Sequence, residues 1–291
     1  PDRPLVYTNS DPKRMALAWR WLAGSRFQNE VRYGFNLAPV QFESDWDYSG
    51  LGVIYNTALG LANPLGGYST GGATAAFQPQ GRYTNTYQLN NNASMSLGSH
   101  ELQFGGSWQR NRVNPYNYVG IYPTVNFGFS AAAPASVQLN SGMFPGGISA
   151  TDLANANALA AFLGGIVTSV SRTFNVTDAN SGYVPGVPSD EKYTLDNIAL
   201  YLQDNWRWKP NFTIRAGIKW EDYSPLTEDK NLGFLPVTNG RPVDQFMLDP
   251  NTTLTFANGE FWNKDLNNFG PTIGFAWDLT NDGKTAVRGG Y

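Results

Sequence analysis

From Thr213 to Glu221 the chain alternates residue by residue. Thr213, Arg215, Gly217, Lys219 and Glu221 form one series, and Phe212, Ile214, Ala216, Ile218 and Trp220 form the other. A two-residue period belongs to a β-strand with one polar and one apolar face. The pattern recurs over long segments. In Tyr83–Leu97, the series Tyr83, Asn85, Tyr87, Leu89, Asn91, Ala93, Met95 and Leu97 opposes a wholly polar series from Thr84 to Ser96. In Arg26–Leu37, Phe27, Val31, Tyr33, Phe35 and Leu37 oppose Arg26, Gln28, Glu30, Arg32 and Asn36. In Thr194–Trp208, Ile198, Leu200, Leu202, Trp206 and Trp208 oppose Asn197, Tyr201, Gln203, Asn205 and Arg207. Phe269, Ile273, Phe275, Trp277 and Leu279 oppose Asn268, Thr272 and Asp278.

A soluble antiparallel sheet with one wet face alternates in the same way. Strand length separates the two cases, because these segments run for about ten residues or more against a globular mean of about 5–6. Trp206, Trp208, Trp220 and Trp277 also fall near strand ends on the apolar series, where amphipathic rings meet lipid headgroups. Composition agrees: 14% of the 291 residues are aromatic and only 15% are charged, against roughly 25% charged in ordinary soluble domains.

The connections have a rhythm. Short turns are expected at Ala23-Gly24-Ser25, Gly98-Ser99-His100, Lys209-Pro210-Asn211 and Thr280-Asn281-Asp282-Gly283, joining hairpins over about 14–37, 83–113, 194–222 and 268–291. Gly, Pro-Asn and Asp-Gly supply the turn chemistry. Between the hairpins lie long connections, 38–82, 114–193 and 223–267, rich in Gly, Pro, Asn and rings. Short turns alternating with long loops are the signature of an outer-membrane barrel. The expected fold is all-β, an antiparallel up-and-down transmembrane β-barrel section of about eight long strands with short periplasmic turns and long outer loops. No run of about 18 apolar residues offers a membrane helix. A short helix with Thr151 as N-cap, Leu153–Leu163 as body and Gly164 just past its end is expected inside the second long loop.

The chain has no Cys and one His, His100, which removes thiolate chemistry and argues against His-based triads and metal clusters. Twenty basic residues against 23 acidic ones leave no excess for nucleic acid. Asp278, Asn281 and Asp282, and Asp244 with Asp249, read as turn formers, and their spacing matches no EF-hand. Glu221 and Asp222 lack a second well-placed acid for hydrolysis. His100 reads as a solvated turn residue, and Gly105-Gly106 and Gly289-Gly290 as bends or close packing in strands. No phosphate-loop, dinucleotide or nucleophile-elbow motif is present. No catalytic, cofactor-binding or metal residue is expected. The opening Pro1-Asp2-Arg3-Pro4 carries no initiator Met or signal-peptide pattern, which predicts a processed or partial chain.

Four stretches, YLQDNWRWKPNFTIRAGIKWEDYSPLTE, FGPTIGFAWDLTNDGKTAVRGGY, HELQFGGSWQRNRVNPYN and NALAAFLGGIVTSVSRTFNVT, resemble the barrel of TonB-dependent receptors, and most of all the Oar-like group. The resemblance runs from about Arg14 to Tyr291 and is weakest over Leu51–Phe77. It implies a larger barrel of 22 strands in the family, closed by an N-terminal plug and coupled through a TonB box, with a regulatory domain in Oar-like members. None of these additional parts matches a position here, so the chain is expected to be a middle section of such a receptor.

The expected function is therefore an outer-membrane TonB-dependent receptor or transporter, present as a barrel segment. Its partners would be outer-membrane lipid and lipopolysaccharide, the plug and remaining strands, TonB through parts outside this chain, and an unnamed substrate, with no nucleic acid. Ile198, Leu200, Leu202, Ile214, Ile218 and Trp220 are expected to face lipid. Glu30, Arg32, Gln203, Asn205, Arg215 and Lys219 are expected to face the lumen. Tyr116, Tyr118, Tyr122, Phe127, Phe261 and Trp262 are the candidate loop contacts for substrate, each weighed against simple loop packing. A structural or adhesive surface protein on the same strands is the alternative, and a small closed barrel a third reading.

Overall fold

The computed structural model describes residues 6–44, 54–57, 78–130, 132–238, 241–242, 249–257 and 259–291. Asp244, and the stretch Leu51–Phe77 apart from Ile54–Thr57, lie outside the described residues.

The first strands are β1 (Val6–Asn9), β2 (Lys13–Ala23), β3 (Phe27–Ser44), β4 (Ile54–Thr57), β5 (Gln80–Leu97), β6 (His100–Asn117) and β7 (Thr124–Phe127). One helix, α1 (Ala150–Leu163), precedes β8 (Val167–Ser171) and three two-residue strands, β9 (Phe174–Asn175), β10 (Val184–Pro185) and β11 (Ser189–Asp190). Then come β12 (Tyr193–Lys209), β13 (Phe212–Tyr223), β14 (Thr227–Glu228), β15 (Phe234–Thr238), β16 (Arg241–Pro242), β17 (Thr253–Phe256), β18 (Phe269–Asp278) and β19 (Ala286–Gly290). The residues fall into two compact units. One holds Asp11–Ala38, Tyr83–Asn114 and Glu191–Tyr291, and the other Pro1–Ser10, Pro39–Arg82 and Pro115–Asp190.

The first unit is a wall of long strands. β2 pairs with β3, and from β3 the neighbours run β5, β6, β12, β13, β18 and β19. The pairs β2/β3, β6/β12, β12/β13, β13/β18 and β18/β19 are antiparallel, so the wall is an up-and-down meander. Gly24 (φ 68°) and Gly98 (φ 60°) turn two of the hairpins in the left-handed region that glycine adopts without a Cβ clash. β12 and β13 meet at Lys209 opposite Phe212, with a bulge between Arg207 and Lys209. The last hairpin corrects one expectation, since β19 begins at Ala286 and not at Lys284. The amides of Gly283 and Lys284 are instead donated to the carboxylates of Asp278 and Asp282, which keeps them in the turn.

The glycine pairs in strands are sites of close approach. A Cβ on Gly105 would stand 2.1 Å from the Asn91 carbonyl oxygen, and one on Gly106 would stand 2.7 Å from Leu200 Cδ2. Gly289 lies 2.7 Å, by the same measure, from the Phe275 ring.

In the second unit β1 pairs with the end of β3, Val6 opposite Ser44 and Asn9 opposite Gln41, so that β3 continues past the expected Leu37. β7 is flanked by β4, parallel, and β8, antiparallel. Helix α1 packs here, with Phe162 edge-on to Phe127 at 5.4 Å between centroids and Ala161 fully buried. Its cap is Ser149 and not Thr151: the Ser149 hydroxyl accepts from the Asp152 amide at 3.1 Å and donates to the Asp152 carboxylate at 2.7 Å, a reciprocal N-terminal cap. Gly165 (φ 66°), one residue later than expected, supplies the left-handed position that ends the helix. Among the described residues no helix is long and apolar enough to cross a membrane.

Candidate functional site: a two-faced wall with aromatic rims

Residues directly opposite in an antiparallel pair share a face. Register therefore sorts the wall without further assumption. Leu200 stands opposite Trp220, Leu202 opposite Ile218, and Trp206 opposite Ile214. On the next strand Ile198 stands opposite Trp108 and Leu202 opposite Phe104. On the other side Ile214 stands opposite Phe275 and Phe212 opposite Trp277. Ile198, Leu200, Leu202, Ile214, Ile218 and Trp220 thus lie on one face. Much of it is open, with Leu200 53%, Leu202 49% and Ile218 47% exposed, and contiguous exposed apolar side chains mark a surface that meets a partner or a membrane.

The reverse face is polar. Arg20 is opposite Glu30, and its Nη2 and Nε donate to Glu30 Oε2 at 2.6 and 3.0 Å. Arg32 holds the other oxygen of the same carboxylate. Arg215 donates to Asn205 Oδ1 at 2.9 Å, and Lys219 Nζ meets Glu221 at 2.6 Å. Gln203 faces Gln103, and the Tyr201 hydroxyl donates to Asn92 at 2.8 Å. The six residues expected on the lumen side therefore share this face.

Two polar-aromatic rims bound the apolar face. Near the short turns, His100 stacks on Trp206 at 5.4 Å, Trp208 meets Phe212 at 5.6 Å, and Trp21 meets Phe27 at 5.6 Å. Towards the long loops, Asp196 receives Arg110 through two bonds of 2.9 and 2.8 Å and the Trp108 indole at 3.2 Å. The Arg110 guanidinium lies 5.5 Å from the Trp108 ring centroid. Asp196 and Trp206 are ten residues apart on β12, about 33 Å along a strand. At a tilt of about 40° that spans about 25 Å, the height of the apolar band of a membrane barrel.

His100 needs correcting. It opens β6 and is no free turn imidazole, for its Nδ1 lies 2.6 Å from Asp204 Oδ2. Opposite Trp206, it shares the apolar face.

A family profile described as "Outer membrane beta barrel domain" matches residues 6–291. The chain belongs to this family. The barrel domain places the protein in the outer membrane, and its mainly antiparallel strands form a section of barrel wall. No curated protein is recognisably similar. Solved structures similar to this barrel domain include the copper transporter OprC, at 8% identity and a TM-score of 0.41, covering 97% of this chain and 31% of that one. The outer membrane transporter YddB from Escherichia coli is similar at 10% identity and a TM-score of 0.38, over 97% and 26% of the two chains. The siderophore receptor PiuA from Acinetobacter baumannii is similar at 8% identity and a TM-score of 0.37, over 95% and 31%. The chain spans about a third of the length of OprC and PiuA.

The loop aromatics of the barrel domain fall into two groups. In one unit Tyr116 and Tyr118 meet edge to face at 6.4 Å, Phe127 packs on α1, and Tyr122 is half-buried. In the wall unit Phe261 lies against Tyr193 at 6.2 Å and over Gly233, where a Cβ would come within 2.0 Å of its ring. Trp262, beside it, is 49% exposed.

The loop end of the wall also holds two buried carboxylates, Glu228, which the sequence pattern did not single out, and Asp222. Glu228, 3% exposed, accepts the amides of Lys192, Lys230 and Leu232. Asp222, 2% exposed, is paired with Lys264 at 3.2 Å. Burial, then the neighbouring Glu191 carboxylate, raises the Tyr193 phenol well above its ordinary value of 10.0. Among the described residues no three potential metal ligands gather.

Proposed function

We propose that the chain forms part of the barrel wall and outer loops of a TonB-dependent outer-membrane receptor of the Oar-like kind. The observation that carries this is the two-faced wall together with its edges. Among the described residues β2 pairs only with β3, and β19 only with β18. Lipid offers no hydrogen bonds to an open edge, so the wall needs further strands of the same protein to close. The resemblance of the β12–β13 and β18–β19 hairpins to receptor barrels supports a large one.

In this reading Ile198, Leu200, Leu202, Ile214, Ile218 and Trp220 meet lipid, with lipopolysaccharide at the loop-side rim. Glu30, Arg32, Gln203, Asn205, Arg215 and Lys219 face the lumen and its plug. Tyr116, Tyr118, Tyr122, Phe127, Phe261 and Trp262 lie in outer loops that contact the substrate. Uptake across the outer membrane is driven by TonB acting through parts beyond this chain. The intact mass of the native protein, extracted from outer membranes with detergent, tests the reading. A mass well above 31.9 kDa is expected. A protein of that mass released without detergent overturns it.

A further inference from the structure

We propose that the apolar face of the wall carries a docking site for a second copy of the same protein, centred on Asn29 of β3 and Asn91 of β5. The inference rests on the barrel domain and its place in the outer membrane, and goes beyond the receptor reading.

Asn29 stands opposite Trp21 on β2, and Trp21 packs on Phe27 at the short-turn rim, so Asn29 lies on the apolar face. The Asn91 amide donates to Asn29 Oδ1 at 3.1 Å, which brings Asn91 onto the same face. β5 ends at Leu97, six residues past Asn91. Six residues are about 20 Å along a strand, or about 15 Å in height at a tilt of about 40°. The pair therefore sits well inside an apolar band about 25 Å tall. Between the rims the neighbouring strands show Phe104, Leu200, Leu202, Ile214 and Ile218 on this face. His100 with Asp204, and Arg110 with Asp196, also lie on it, but at the two rims and paired with one another.

One hydrogen bond does not satisfy two primary amides, each of which carries two N–H donors and an oxygen with two lone pairs. Among the described residues Asn29 Nδ2 and Asn91 Oδ1 have no partner, and both residues are half-buried. Lipid chains supply neither donor nor acceptor, and an unmade hydrogen bond in hydrocarbon is costly. Ala93, the next residue of this face, is small and buried, so a partner can approach closely.

That partner must offer a donor and an acceptor at this depth, and a second copy does so by symmetry. Copies of one barrel enter the membrane in the same direction and to the same depth, so a two-fold axis relating them runs along the membrane normal. Asn29 and Asn91 lie side by side on adjacent strands. Rotation about that axis therefore sets each of them against the other residue in the second copy. The unused donor of one copy then meets the unused acceptor of the other, an isologous contact. Trp19, 63% exposed, and Trp21, 49% exposed, add apolar area beside it.

Two differently tagged copies of the full-length protein, one Asn29→Cys and the other Asn91→Cys, are produced together and oxidised in intact outer membranes. The 291 residues contain no Cys, and tagged copies without a substitution give the background. The expected product is a disulfide-linked dimer carrying both tags, in which one side of the contact is covalent and the other keeps its amide pair. A pair of Ile218→Cys copies, on the same face but away from the site, should give none. A yield no higher than that control, or linkage only to a different protein, overturns the second copy as occupant. In lipid nanodiscs the Asn29→Leu/Asn91→Leu variant, shown to be folded by heat-modifiable migration, should run at half the mass of the parent. A parent that is already monomeric, or a folded variant that stays dimeric, overturns the site.

Discussion

His100 Nδ1 and Asp204 Oδ2 lie 2.6 Å apart on the apolar face of the wall, between β6 and β12, with the Trp206 ring stacked on the imidazole. The two residues are partly exposed at the short-turn rim, where charge on the lipid side is tolerated better than at the midplane. His100→Leu leaves the Asp204 carboxylate without its partner and should destabilise the assembled barrel by about 1 kcal/mol. The double variant His100→Leu/Asp204→Leu should regain most of that loss. Urea unfolding of the full protein from lipid vesicles measures both, and a double variant weaker than the single one would falsify the pairing.

Face assignment is open to a direct comparison. Ile214→Arg puts a charge on the apolar face and should cost about 2–4 kcal/mol, whereas Lys219→Gln on the polar face should stay within about 0.5 kcal/mol. Heat-modifiable migration of the folded barrel on gels reads the difference. Equal losses would mean the face assignment is wrong.

Gly105→Ala forces a Cβ to within 2.1 Å of the Asn91 carbonyl oxygen, so strands must part. A loss of about 1–3 kcal/mol is expected. Gly146→Ala meets nothing within 4 Å and should be silent. Matched assembly yields for the two variants would count against the close approach of β5 and β6.

The Asp282 carboxyl is held below its ordinary 3.8, first by the Thr280 hydroxyl and then by the Lys284 amide. A carboxyl with a depressed value supports the folded turn above pH 3.8 and stops doing so as the pH falls through its lowered value. The Lys284 amide resonance should therefore stay fixed through pH 4 and move only below it. In Asp282→Asn it should not titrate at all.

Packing and binding roles separate at neighbouring loop rings. Phe261→Ala empties the space over Gly233 and beside Tyr193 and should speed proteolysis between residues 224 and 268. Trp262→Ala, at an exposed ring, should leave proteolysis unchanged and weaken only the capture of substrate by intact cells. If Trp262→Ala also opens the loop, its ring is packing and not contact.

The wall was readable because strand alternation is a local property. Leu200, Leu202, Ile214 and Ile218 declare their face within a few residues, and register then fixes the rest. The signal failed where distant residues decide. His100 and Asp204 are separated by 104 positions, and nothing near either names the other. The extension of β3 past Leu37 crosses Ala38, Pro39 and Val40, where apolar residues run together and hide the period. β4, β7 and β8, each only four or five residues long, fall in loops whose Gly and Asn content reads as irregular.

The turn between Lys209 and Phe212 has no residue to spare. The bulge between Arg207 and Lys209 already takes up one extra residue here, and a further one would slide β13 against β12 and send every side chain of one strand to the opposite face. At the other end of the same strands, tens of residues separate β6 from β12 and β13 from β18, and a change in their number shifts no ladder. One rim of this wall is therefore closed to insertion and the other open to it. Relatives of this chain should keep the first nearly invariant in length while the second diversifies with what each has to capture.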